Sequence, residues 1–133
     1  MPDITGVAHV ELSVRDLDRS VAWYCALLAA RDVWRGSNDE YGIDACAIFE
    51  PNSKLVFAFT CHRKQIDDAF APQRPGLDHV SFGVADRAAL EDWVKHLDTL
   101  GIEHSPIQDN HQPPSVTFKD PDGIALEFSY PKR

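Results

Sequence analysis

Residues 7–14, VAHVELSV, alternate from Ala8 onward. Ala8, Val10, Leu12 and Val14 are apolar, and His9, Glu11 and Ser13 stand between them. A period of two with this much valine predicts a strand. The period then changes. In DLDRSVAWYCALLAA the apolar residues Leu17, Val21, Tyr24 and Leu28 recur at helical spacing, and Asp16 stands where an N-cap belongs. Three short strands are expected next, at 31–36, 43–50 and 54–61, with NSK turning the chain between the last two.

The same succession then returns. GLDHVSFGV alternates Val80, Phe82 and Val84 against His79, Ser81 and Gly83. Asp86 precedes a second helical stretch, RAALEDWVKHLDTLG, whose Leu90, Trp93, Leu97 and Leu100 form an apolar stripe and whose Gly101 supplies a stop. Strands are expected at 102–105, 115–119 and 123–130, with PDG as the turn between the last two.

Shifting the chain by 70 lays Gly6 on Gly76, His9 on His79, Asp16 on Asp86 and Trp23 on Trp93; a shift of 69 lays FEPNSKLVFAFT (49–60) on FKDPDGIALEFS (118–129). One inserted residue between the two blocks accounts for the change. The chain is therefore read as two copies of a strand–helix–three-strand unit, an α+β fold of two tandem βαβββ modules forming one structural domain. The first module is 1–61 and the second 77–133. Segment 62–76 joins them, polar and carrying two prolines. Two copies are too few for a solenoid, so side-by-side packing about a pseudo-two-fold axis is expected.

Alternation divides each strand into a helix-side face and an opposite face. His9, His79 and Glu127 are all expected mid-strand on the opposite face, and their neighbours there are small: Ser13, Ser81, Gly83, Ala58, Thr60, Ala125 and Ser129. Small residues around polar ones leave volume for a pocket. Taken singly, a strand histidine is most often structural or solvated, and Glu127 alone reads as an outward-facing carboxylate. Two histidines at equivalent points of a repeat, with a carboxylate on the same face, point instead to a shared metal site.

Composition narrows the field. A formal charge of −8 argues against nucleic acid, whose affinity rests on Lys and Arg neutralising phosphates. No apolar run reaches membrane-spanning length, and the N-terminus lacks a signal-peptide pattern. Cys25, Cys46 and Cys61 have unrelated spacings and read as reduced thiols of a cytoplasmic protein. His96 and His104 are poorer ligand candidates, on a helix and at a loop start. The loop IQDNHQPP, which carries His111, is long enough to cover a pocket mouth or simply to connect strands.

GVAHVELSV with its DLDRSVAWY helix, GLDHVSFGV, and the closing FKDPDGIALEFSYP resemble the vicinal oxygen chelate family over essentially the whole chain. That family includes glyoxalase I, extradiol dioxygenases, fosfomycin-resistance thiol transferases, methylmalonyl-CoA epimerase and bleomycin-binding resistance proteins. The resemblance implies curved mixed sheets of paired βαβββ modules around a metal pocket, with ligands on the first, fourth, fifth and eighth strands. His9, His79 and Glu127 match three of these. The fourth position falls on Ala58, where glyoxalase I and the epimerase carry a carboxylate, so this chain departs from their pattern.

Three ligands, two His and one Glu, form the set of non-heme Fe(II) oxygenases, and also suit Mn(II), Zn(II) or Ni(II) chelating two adjacent substrate oxygens. Fe(II) is favoured. An extradiol-dioxygenase-like reaction, or a related isomerase or lyase reaction, on a small-molecule substrate is the leading expectation. The alternatives are a metal-free binding protein of the bleomycin-resistance type and a fosfomycin-type thiol transferase. The latter ranks lower because no Lys or Arg is found on the inferred pocket faces. Catalytic acid or base candidates are Glu11, His62 and Tyr130, with Glu50 at a strand end. A homodimer is expected, with the site either within one chain or shared across two.

Overall fold

The computed structural model describes residues 1–131 of the chain. Its elements are β1 (Val10–Ser13), α1 (Leu17–Leu28), β2 (Arg31–Asn38), β3 (Ile43–Glu50), β4 (Leu55–His62), β5 (Val80–Gly83), α2 (Arg87–Thr99), β6 (Ser115–Lys119) and β7 (Ala125–Ser129). The chain divides into two compact units between Asp67 and Asp68, inside the 62–76 segment.

Both helices begin as their sequences require. Asp16 accepts from the Arg19 N–H at 3.0 Å and Asp86 from the Ala89 N–H at 2.9 Å, each satisfying a backbone donor that the first turn leaves orphaned. The second helix stops at Gly101, whose φ of +68° is accessible to a residue without a Cβ.

In the first unit the strand order is β1-β4-β3-β2, with β1 parallel to β4 and the remaining pairs antiparallel. Helix α1 covers one face. Tyr24 is fully buried there, its ring centroid 5.3 Å from Phe57 and 4.7 Å from Phe59, with Leu27, Cys46 and Ile48 completing the core. In the second unit the order is β5-β7-β6, with β5 parallel to β7. There Phe128 lies stacked against Trp93 at 4.2 Å and Phe118 at 5.2 Å. The three cysteines are free; burial pushes the Cys25 and Cys46 thiols above their ordinary range, which disfavours the reactive thiolate.

The repeat is visible in the register. Glu11 sits opposite Ala58 and Ser13 opposite Thr60; in the second unit Ser81 sits opposite Glu127 and Gly83 opposite Ser129. Each pair maps onto the other by shifts of 70 and 69.

Three expectations are corrected. The strand expected at 102–105 is reduced to a single bridge, His104 to Phe118, followed by another at Gln108 and Ser115. Pro106 has no N–H to continue the ladder, and the Thr117 N–H is taken by the Ser105 hydroxyl at 2.9 Å instead of a backbone carbonyl. The change of repeat shift also moves. Ile48 pairs with Phe57 and Phe118 with Leu126, so β3 maps onto β6 at 70 and the lost residue lies in the hairpin after them. Burial agrees, since Ile48 and Phe118 are both core residues and Lys119 is exposed. Finally, His9 and His79 are not mid-strand: each stands one residue before its strand, because β1 and β5 begin pairing only at Val10 and Val80.

Candidate metal centre

In the second unit, β7 carries Glu127 on the face away from α2, between Ser81 on β5 and Thr117 on β6. His79, just before β5, places Nε2 3.7 Å from Glu127 Oε1. Its other ring nitrogen, Nδ1, lies 2.6 Å from Asp78 Oδ1. A carboxylate oxygen accepts, so Nδ1 is the donor in this contact and Nε2 is the nitrogen left facing Glu127. Histidine ligands are commonly oriented this way, by a carboxylate on the nitrogen that does not bind metal. Sequence reasoning missed Asp78; its signal was the acidic residue immediately before the histidine, which has no counterpart at Ala8.

The first unit holds a related pair. His9 Nε2 lies 3.7 Å from Glu11 Oε2, and Glu11 Oε1 accepts a short hydrogen bond from the Thr60 hydroxyl. The carboxylate therefore rises from β1, directly across from Ala58 on β4, whereas in the second unit it rises from β7 across from Ser81. The positions equivalent to Glu11 and Thr60 are Ser81 and Ser129, whose hydroxyls bond to each other at 2.7 Å.

The donor chemistry fits a divalent cation. Two ligands each about 2.1 Å from a common ion at tetrahedral angles lie about 3.4 Å apart. The 3.7 Å separation of His79 Nε2 and Glu127 Oε1 is too long for a hydrogen bond and close to that value. Among the described residues, no group of three or more His, Cys, Asp or Glu side chains is arranged to hold a metal ion.

The other candidates stand as follows. His62 ends β4, exposed, two residues beyond Thr60 on the face of Ala58 and opposite Ile43. Tyr130 follows β7, half-buried, with the parity of Phe128 and not of Glu127, and its N–H donates to Pro114 O at 3.3 Å. Glu50 is engaged in a turn: it accepts from the Asn52 N–H, the Ser53 N–H and the Ser53 hydroxyl, at 2.9, 2.7 and 2.6 Å, and the Ser53 bonds hold its carboxyl below the usual range. Asp120 does the same for the DPDG turn, buried and accepting from Asp122 and Ile124 at 2.9 and 2.8 Å. DPDG thus serves as turn chemistry. His104 Nε2 lies 2.7 Å from Asp98 Oδ1 and Nδ1 2.7 Å from Ser105 O; the Ser105 carbonyl and then Asp98 raise its pKa. The IQDNHQPP loop is tied at its base by an Arg87–Asp109 ion pair and by buried Pro114.

The expectation of open faces without basic residues is also corrected. Lys119 pairs with Ala125, on the face of Glu127, and Arg31 pairs with Phe49, on the face of Ala58. Those faces include β2 and β6, which alternation of the other strands does not reveal.

The model of the Glyoxalase/Bleomycin resistance protein/Dioxygenase superfamily matches residues 6–128, and the chain belongs to that family. Among solved structures, it is similar to a glyoxylase/bleomycin resistance protein/dioxygenase domain from Frankia sp. EAN1pec, with 33% identity and a TM-score of 0.86 over 98% of this chain and 100% of that one. It is also similar to the fosfomycin resistance protein FosX of Listeria monocytogenes complexed with Mn(II) and sulfate, at 18% identity and a TM-score of 0.69 over 98% and 95% of the chains, a likeness of fold. A curated relative, the uncharacterized protein YaeR of Escherichia coli, is 29% identical over 92% of this chain and 93% of its own length. No helix among the described residues is long and apolar enough to cross a membrane.

Proposed function

We propose that this chain is a divalent-metal-dependent enzyme that chelates vicinal oxygens of a small molecule, with an extradiol-dioxygenase-like reaction first and a related isomerase or lyase reaction second. One observation carries this reading: the Nε2 of His79, turned by Asp78, faces Glu127 at a separation suited to a shared ion. His9 completes the set with His79 and Glu127, from the same chain or from a partner copy in a homodimer. Fe(II) is favoured and Mn(II), Zn(II) or Ni(II) fit the same donors; Mn(II) in FosX supports a divalent ion in this family.

When bound, the metal supplies Lewis acidity that makes a substrate hydroxyl easier to deprotonate. This chain's residues do the rest. Glu11, with one oxygen fixed by Thr60 and the other beside His9, accepts the substrate proton. The alanines and serines around it leave room for the ligand, and His62 at the edge of the same face is a second proton carrier.

A fosfomycin-type reaction is the second reading, and Lys119 on the face of Glu127 favours it by offering a cation to an anionic substituent. The test is anaerobic reconstitution with Fe(II), Mn(II), Ni(II) or Zn(II), each form screened against catechols, the glutathione hemithioacetal of methylglyoxal, and fosfomycin. Turnover of catechols with Fe(II) that falls by about 10²–10⁴ in Glu11→Gln supports the first reading. Turnover of fosfomycin alone supports the second. A chain that binds no metal leaves a metal-free binding protein of the bleomycin-resistance type.

A further inference from the structure

Strand β2 contains an irregularity that places one large side chain. Asp32 pairs with Ile48, a core residue on the side of α1, so Asp32 points to the helix side. Two residues on, Trp34 would ordinarily share that face. The register instead shifts between Asp32 and Trp34, with Val33 as the extra residue, and Trp34 pairs with Ala47. Ala47 pairs with Ala58 and Ala58 with Glu11, so the bulge delivers Trp34 to the open face, in one cross-strand row with Glu11. Bulges that re-aim a side chain are common beside functional sites.

A second feature serves the same indole. Gly36 lies two residues along on the same face, opposite Ala45. A Cβ on Gly36 would stand 2.6 Å from Trp34 Cζ2 and 2.9 Å from Cη2, so the ring lies down across the sheet in space that only glycine leaves. Trp34 is nevertheless 57% exposed. Between it and Glu11 the row holds only Ala47 and Ala58, a floor of about 14 Å from strand spacing.

We propose that Trp34 is a stacking platform for a planar aromatic part of the ligand, set on the open face by the β2 bulge and Gly36. The proposal takes that face as the ligand face, as the functional reading does, but does not depend on the metal. A flat π-surface with small residues before it favours an aryl group lying parallel to the indole, its polar end toward Glu11.

The test compares benzohydroxamate with acetohydroxamate, which share a chelating head and differ by the ring, binding to the Mn(II)-loaded chain by calorimetry. In Trp34→Ala the preference for benzohydroxamate should fall about tenfold while acetohydroxamate affinity holds. Trp34→Phe should retain part of the preference, and Gly36→Ala, which displaces the ring, should lose it. An unchanged preference in Trp34→Ala overturns the proposal. If the chain takes up no Mn(II), the metal reading fails by itself, and 2-naphthol binding to metal-free protein decides the platform. There, a loss of about tenfold in Trp34→Ala supports it and unchanged affinity overturns it.

Discussion

Replacing Asp78 by alanine isolates one hydrogen bond. The 2.6 Å contact from His79 Nδ1 fixes which nitrogen is protonated and which way Nε2 faces. Removing the partner of a metal-binding histidine costs about 10–100-fold in affinity, or about 1.4–2.7 kcal/mol. The cost to folding is far smaller. The Asp78 side chain is 72% exposed and that of His79 45%, so the pair contributes under about 1 kcal/mol to stability. The expected outcome is therefore split: metal affinity falls while the melting temperature of the metal-free protein moves by less than about 3 °C. Calorimetric titration with Mn(II) and scanning calorimetry of the metal-free form measure the two, and Asp78→Asn, which keeps an accepting oxygen, should recover part of the affinity. Long-range 1H–15N spectra of the metal-free protein at about pH 8.5, where an ordinary imidazole is neutral, provide a check independent of metal. His79 should carry its proton on Nδ1 in the wild type and shift toward Nε2 in Asp78→Ala. Wild-type affinity in the variant, with the tautomer unchanged, would refute the reasoning.

Two pH effects of opposite sign follow from the hydrogen bonds. The His104 pKa is raised by the Ser105 carbonyl and by Asp98, so its contribution is fully present below the ordinary histidine value and is lost as pH rises through the folded-state pKa. The stability gap between wild type and His104→Gln should accordingly shrink from mildly acidic to alkaline pH, and a gap that grows instead would contradict the assignment. Glu50 is lowered by Ser53, so its contribution is present above the ordinary carboxylate value and is lost as pH falls through the depressed one. The Glu50→Ala gap should therefore close on acidification, measured by denaturant unfolding across acidic pH. Asp120→Ala strands two backbone N–H groups in the turn before β7 and should cost about 2–3 kcal/mol by the same assay; a loss below about 0.5 kcal/mol would show that water replaces the carboxylate.

Much of the fold was legible because local signals and the repeat agree. The two capping aspartates, the helical stripes through Leu28 and Leu97, and the alternation around Leu12 and Phe82 each follow from side-chain period and backbone chemistry, whereas Leu100, expected to extend the second stripe, lies past the end of α2 and is exposed. What stayed hidden depends on pairing. Nothing in RDVWRGSN announces that Val33 is bulged, yet that one residue decides which face carries Trp34. The strand expected at 102–105 has acceptable composition and fails because Pro106 and the Ser105 hydroxyl interrupt its ladder. The hairpin offset that sets Ile48 over Phe118 is invisible to an alignment that rewards matching Phe49 with Phe118. Of the candidate residues, those inside strands, Glu11, His62 and Glu127, have the parity that alternation gives them. The Asp78 contact was not readable, nor was the position of Lys119 beside Ala125, since neither strand pairing nor a neighbouring side chain's reach is written in the period.

Metal content after anaerobic reconstitution and desalting tests the central claim most directly. Wild-type protein should retain one equivalent of divalent ion per site, and His9→Ala, His79→Ala and Glu127→Gln should each lose it while remaining folded by circular dichroism. Retention of a full equivalent by the triple variant, or no uptake by the wild type with any of the four metals, would contradict it.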